Sequence, residues 1–191
     1  MKAFFDTSVL VAVCYGDHQH HAASLSLFLQ FPKVDACCGA HTLAEIDSTL
    51  TRMPGKYRVT GDQAMLFVGS VLERLSIIAV SAEEYATALD VWSQAGVTGG
   101  TTYDALLASC ALKGEAEAMY SWNLRHYRGF GAAVESRLHQ PPFVSGLTGA
   151  SVVIRSIYPT PGWLLYTWRP LITYPPLPRY AAPSAVLCRS V

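Results

Sequence analysis

Along residues 1–141, two patterns of apolar residues take turns. Short apolar runs of strand length are followed by longer segments whose apolar positions recur every three or four residues, the spacing of a helix with one buried face. Residues 2–13 form a mostly apolar run broken by Asp6-Thr7-Ser8, which reads as a buried first strand ending near Asp6 and places that acid at a strand end. Residues 22–31 have helical spacing with Leu25, Phe28 and Leu29 on one side, and Pro32 stops them. Residues 34–38 predict a second strand. Residues 42–52 predict a helix burying Leu43, Ile46 and Leu50, closed by Pro54-Gly55. The pattern repeats at 62–75 with Met65, Val68, Leu72 and Leu75, and then with a strand over 76–80. Ser81-Ala82-Glu83-Glu84 fits a capping box and starts a helix running to about Ala95. A loop rich in Gly and Thr covers 96–102, a helix 103–113, and a short strand 117–121 that runs into Trp122-Asn123. Strands alternating with helices in this way are joined in parallel by crossover helices. The predicted class is α/β, a three-layer α/β/α sandwich with a mostly parallel sheet.

Composition divides the chain. The 191 residues balance 14 Lys and Arg against 14 Asp and Glu, yet all 14 acids and ten of the basic residues lie in 1–141, a net of −4. Residues 142–191 hold Arg155, Arg169, Arg179 and Arg189, no acid, and eight of the 11 Pro. Two units are therefore expected: a globular domain over 1–141 and an irregular, Pro-rich tail over 142–191. One reading makes the tail a basic aromatic arm that stacks on RNA. The reading we prefer takes it as appended sequence from a frameshift or lost stop codon. A hydrophobic content of 51% excludes disorder as the main state, and a zero charge balance means that any nucleic acid is held by a local patch or through metal.

Five cysteines without a Cys-x-x-Cys pair argue against a disulfide framework or structural zinc. Asp6 interrupts the N-terminal apolar run, against a signal peptide, and no stretch approaches the ~18 apolar residues of a membrane helix. A cytoplasmic protein is expected.

In a parallel sheet, ligands bind outside the carboxyl ends of the strands. Three acids are expected there: Asp6 after the first strand, Glu45 in the first turn of the helix after the second, and Asp104 opening the helix after the Gly/Thr loop. Asn123, after the last strand, joins them. Clustered carboxylates repel unless protons or a cation neutralise them, and Mg²⁺, with Mn²⁺ as a substitute, suits oxygen ligands. Such an ion activates a bound water for in-line attack on phosphorus. Each acid also has a plainer explanation, because Asp104 could cap its helix and Glu45 could favour the positive end of its own. Ser8 and Ser121 are placed either to orient a carboxylate or to satisfy a turn amide. Asp47 lies about 200° around the helix from Glu45 and reads as surface. Arg125 and His126, just past Asn123, are placed either to meet substrate phosphate or to lie in a solvated loop. His18, His20 and His21 lack metal-ligand spacing.

Four segments in order resemble the successive motifs of PIN-domain ribonucleases, particularly VapC-type toxins. They are Phe5-Asp6-Thr7-Ser8-Val9-Leu10, the stretch from His41 through Glu45 to Pro54, Tyr103-Asp104-Ala105-Leu106-Leu107-Ala108, and Tyr120-Ser121-Trp122-Asn123-Leu124-Arg125-His126-Tyr127. The resemblance spans roughly 1–141. It implies a Mg²⁺-dependent endoribonuclease acting on transfer or ribosomal RNA, a homodimer, and an antitoxin partner. By position, it makes Asp6 and Asp104 metal ligands and Glu45 a ligand directly or through water. Ser121 and Asn123 take the places of the family's Thr and its fourth acid. Asn supplies no charge there, which favours one firmly held ion. Two other classes stand against this reading. One is a PIN-like module that binds RNA or protein without cutting, or an inactive relic of such a toxin. The other is an aspartate-nucleophile phosphatase, ranked low because Ser8 stands where that chemistry wants a second Asp.

Overall fold

The computed structural model describes residues 1–143, so the tail expected over 142–191 lies outside the described residues except for its first two positions. Five strands form one sheet: β1 (Ala3–Phe5), β2 (Ala36–Gly39), β3 (Ser76–Ile78), β4 (Ala118–Tyr120) and β5 (Leu138–His139). Their order is β3-β2-β1-β4-β5 and every pairing is parallel, with Ala3 opposite both Ala36 and Ala118. Two helices follow each of the first three strands: α1 (Thr7–Cys14) and α2 (His21–Gln30), α3 (Ala40–Arg52) and α4 (Gly61–Arg74), then α5 (Ala82–Gln94) and α6 (Thr101–Lys113). One-turn helices α7 (Leu124–Tyr127) and α8 (Ala132–Glu135) lead from β4 to β5.

The sheet is covered on both sides, which is why its strands read as unbroken apolar runs. Side chains alternate between the two faces. Ala3, Phe5, Ala36 and Cys38 join Leu10 of α1, Leu27 and Phe28 of α2, Ile46 and Leu50 of α3 and Val71 of α4 in one apolar cluster. Phe4, Cys37 and Met119 face the other way, against Leu107, Ala108 and Cys110 of α6, with Tyr127, Phe130 and Val134. The expected three-layer sandwich is thus present, with β5 as an edge strand too short to leave a sequence signal.

Local chemistry sets several element ends. Both expected halves of the capping box at Ser81 and Glu84 are formed, and a second box pairs Thr60 with Gln63 at the start of α4. Gly39 ends β2 where a Cβ would stand 2.9 Å from Leu107 Cδ2, so its missing side chain lets α6 lie close against the strand. The four described cysteines are free, three of them buried.

Differences from the sequence reading are informative. The strand ends near Asp6 as expected, and the apolar run after it, to which the sequence reading gave no element, forms α1 because Asp6 caps it: the carboxylate accepts from the Ser8 amide at 3.3 Å. In α4 the buried face is Ala64, Phe67, Val68 and Val71, and Met65 is 53% exposed. Counting apolar residues favours the larger Met65 over the small Ala64, which is buried in the first cluster. Leu29 is likewise exposed while Ala23, Ser24 and Leu27 are buried.

Leu50 is fully buried in the first cluster. Leu50→Ala is expected to lower unfolding free energy by about 2–5 kcal/mol in urea titrations, through lost transfer energy and the cavity left behind.

Candidate active site

The sheet order reverses between β1 and β4: the chain runs outward from β1 to β3 and returns to place β4 on the other side of β1. The crevice outside the carboxyl ends of strands at such a reversal is where open α/β sheets take ligands. Asp6 and Ser121 stand there, one residue past β1 and one past β4.

Asp6 is 3% exposed and is a hydrogen-bond hub. Its Oδ2 accepts from Ser8 Oγ and from Ser121 Oγ, the latter at 2.7 Å, and its Oδ1 accepts from Tyr127 Oη at 2.8 Å. The two serines also accept: Ser8 Oγ from the Trp122 amide at 3.0 Å, and Ser121 Oγ from the Asn123 amide at 2.9 Å. Each hydroxyl therefore fills both roles that the sequence left open, orienting a carboxylate and satisfying a turn amide.

Glu45 is the sixth residue of α3, because that helix starts at Ala40. This corrects the first-turn placement and removes helix-end stabilisation as a reason for the acid. Thr7 Oγ1 donates to Glu45 Oε2. Burial pushes the Glu45 carboxyl above the ordinary glutamate range. The Thr7 hydrogen bond and the charge of His41 draw it back, while the charges of Asp6 and Asp104 add to the rise.

Asp104 sits in the first turn of α6 but does not cap it; the cap position is Gly100, with no side-chain bond. Its Oδ2 stands 3.4 Å from His126 Nδ1, an ion pair when the imidazole is protonated. Burial raises the Asp104 carboxyl, the His126 charge opposes this, and the Asp6 charge adds to it. Tyr127, fully buried, is raised well above the usual phenol value by burial and then by the charges of Asp6 and Asp104, with the Asp6 hydrogen bond and Glu45 contributing. Contacts tie the three acids to one neighbourhood: Thr7, next to Asp6, bonds Glu45, and Tyr127, next to the His126 that faces Asp104, bonds Asp6.

Asn123 is exposed, and its side chain makes no hydrogen bond among the described residues; its link to the cluster is the amide bond to Ser121. Arg125 is exposed two residues further along. Asp47 is half-buried, not surface, with no side-chain tie to the acids among the described residues. The loop histidines are structural: His20 stacks on Trp122 with centroids 3.8 Å apart, and the His21 Nδ1 lies 3.0 Å from the Ala12 carbonyl.

The sequence reading passed over Thr7, His41, Tyr127 and the partner of His126. Tyr127 lies four residues past Asn123, yet an aromatic there reads equally as core. Thr7 adjoins Asp6, and His41 precedes Glu45 by one helical turn, which are the only signals that mark them.

Among the described residues, no three His, Cys, Asp or Glu side chains converge tightly enough to enclose an ion by themselves. The donor set of carboxylates, hydroxyls and an amide is all oxygen. Two of its carboxyls are held up by burial and mutual repulsion. That set fits a hard cation that keeps most of its waters.

A family model described as PIN domain matches residues 3–128, well over half of the chain. Ribonuclease VapC27 of Mycobacterium tuberculosis is 34% identical over 113 residues, which are 59% of this chain and 78% of that protein. Ribonuclease VapC40 of the same species is 31% identical over 106 residues, 56% of this chain and 75% of that one. Among solved structures, the M. tuberculosis sarcin-ricin loop cleaving toxin VapC20 superposes with a TM-score of 0.55 at 16% identity, covering 69% of this chain and 98% of that one. A toxin-antitoxin complex from Klebsiella pneumoniae gives 0.52 at 13% identity, covering 75% and 100%. The chain belongs to the PIN-domain family, on its VapC-type ribonuclease toxin branch.

Two outcomes follow from this geometry. Tyr127→Phe deletes a buried donor to a carboxylate and is expected to cost about 1.5–3 kcal/mol of stability by urea denaturation. Native Glu45 holds its proton to higher pH than the unfolded chain does, so the folded state binds more protons, and stability is lost as pH rises above about 4.5, through the raised native value. Glu45→Gln is expected to remove that decline in melts taken across the same pH series.

Proposed function

We propose that this chain is a Mg²⁺-dependent endoribonuclease, the toxin of a toxin-antitoxin pair, with its activity in residues 1–141. The observation that carries the reading is the set of three acids near the sheet's reversal point, with Asp6 bonded to Tyr127, Glu45 to Thr7 and Asp104 facing His126, on a chain whose relatives are named ribonucleases.

Asp6 and Asp104 would hold the ion directly, and Glu45 directly or through water, with Asn123 as a neutral oxygen donor at the rim. When bound, Mg²⁺ supplies an activated water and stabilises charge on the phosphoryl oxygens. The protein's own groups do the positioning. Ser8, Ser121 and Tyr127 fix both oxygens of Asp6, so that this carboxylate cannot rotate. Thr7 orients Glu45 in the same way. His126 partly offsets the Asp104 charge and stands where it can meet substrate phosphate.

RNA is the proposed substrate, transfer or ribosomal, since the family reads loops and single strands. An antitoxin protein is the proposed regulator, in keeping with the structural neighbours solved as toxin-antitoxin assemblies. A second copy of the chain is the proposed dimer partner. The cytoplasm is the proposed location; no helix among the described residues is long and apolar enough to cross a membrane. A second reading, a PIN-like module that grips RNA or protein without cutting, draws on Asn123, which places no charge where the family's fourth acid stands.

Purified protein incubated with mixed transfer and ribosomal RNA is expected to give discrete fragments with Mg²⁺ or Mn²⁺ and none with chelator. Asp104→Asn should keep the fold by circular dichroism and slow cleavage by about 10²–10⁴-fold. Full activity in that variant would refute the role of Asp104. Metal-independent binding without turnover would favour the second reading.

A further inference from the structure

Next to the carboxylates lies a cavity of ≈ 420 Å³, with Thr98, Thr101, Arg125, His126, Arg128 and Phe130 in its lining. His126 belongs to both places, forming a wall of the cavity while its Nδ1 faces Asp104 at 3.4 Å. A ligand in the cavity is therefore one side chain away from the proposed cleavage site.

The charge in this cavity stands against its surroundings. Residues 1–141 carry a net of −4, yet three of the cavity's side chains are Arg125, His126 and Arg128, and none is Asp or Glu. The arginines are exposed, and neither makes an ion pair or a hydrogen bond among the described residues. The nearest acid in sequence, Glu135, accepts from the Gly129 amide at 2.7 Å, which fixes the loop. The segment is also anchored from within: between the arginines, Tyr127 is fully buried and bonded to Asp6. Two guanidinium groups are thus carried on a braced turn, and guanidinium forks match phosphate oxygens.

Size narrows the ligand. The space is an open depression of ≈ 420 Å³, which leaves room for a nucleotide to lie against the arginines and is larger than a bare anion needs. Thr98 and Thr101 add hydroxyls to the same lining.

We infer that this cavity seats the RNA nucleotide flanking the scissile bond, its phosphate held by Arg125 and Arg128. The identity of the polymer rests on the nuclease reading above. The closeness to Asp104 favours RNA over an acidic protein segment, because a single strand can occupy both places at once.

The test is fluorescence anisotropy of a labelled, mixed-sequence single-stranded oligoribonucleotide with the full chain in chelator, where nothing is cut, repeated over a salt series. Arg125→Gln with Arg128→Gln is expected to weaken binding about tenfold. It should also reduce the slope of log affinity against log salt by about 0.7 for each phosphate that is no longer neutralised. Unchanged affinity and slope would overturn the inference. So would no RNA binding by the unaltered chain, or an equal loss in a Lys56→Gln, Arg58→Gln control, which would mean net charge alone. Intact RNA binding with lost binding of an acidic antitoxin peptide would reassign the cavity to a protein partner. Cleavage assays on the same preparations keep the two readings apart. Loss of binding in the variant of a chain that never cuts would uphold the cavity and sink the nuclease. Cutting with unaltered binding would do the reverse.

Discussion

Burying a carboxylate without donors costs several kcal/mol, and Asp6 is buried at the end of the central strand, so the segments around it have to bring hydrogen-bond donors to it. They come from the first turn of α1, from the loop after β4, and from α7. The serines then accept from Trp122 and Asn123 amides, which carries the constraint into the backbone of that loop. Asp6 also caps α1. One side chain therefore sets where α1 begins, how the β4–α7 loop turns, and how Tyr127 stands in the second apolar cluster. The plain reading of Asp6 as a cap is compatible with the proposed role as a site acid, and the first serves the second: a capped, fully bonded carboxylate has one orientation only.

The alternation of elements and the parallel sheet were legible because strands covered on both faces leave unbroken apolar runs. The three acids were legible because each lies at a strand end or early in the helix that follows. What stayed hidden was hidden for physical reasons. The run after Asp6 is apolar in either secondary structure, and only the cap geometry selects helix. Ala64 joins the first apolar cluster and Ser24 is buried where its hydroxyl accepts from Trp122 Nε1, while hydrophobicity alone points to Met65 and Leu29. Glu45 falls in the second turn and not the first because α3 starts at Ala40 straight after β2, two residues earlier than expected, with no loop to signal it. Tyr127 and His126 make contacts across the fold, and no local spacing encodes them.

Charge is arranged by sign around the reversal point. Carboxylates gather at the crevice, and guanidinium groups gather in the neighbouring cavity, with His126 between. A polyanion approaching such a surface meets attraction at the cavity and repulsion at the crevice, so orientation is decided before any chemistry.

The buried thiols have a consequence of their own. Burial pushes Cys14 up to about 12, Cys37 and Cys110 to about 11, and Cys38 higher still. At neutral pH such groups are thiols, and the thiolate is the species that oxidants and alkylating agents attack. Cys37 even donates its proton inward, to the Ala3 carbonyl at 3.6 Å. The sulfurs of Cys37, Cys38 and Cys110 serve as small apolar side chains of the core, and their chemistry is quenched by the packing that hides them.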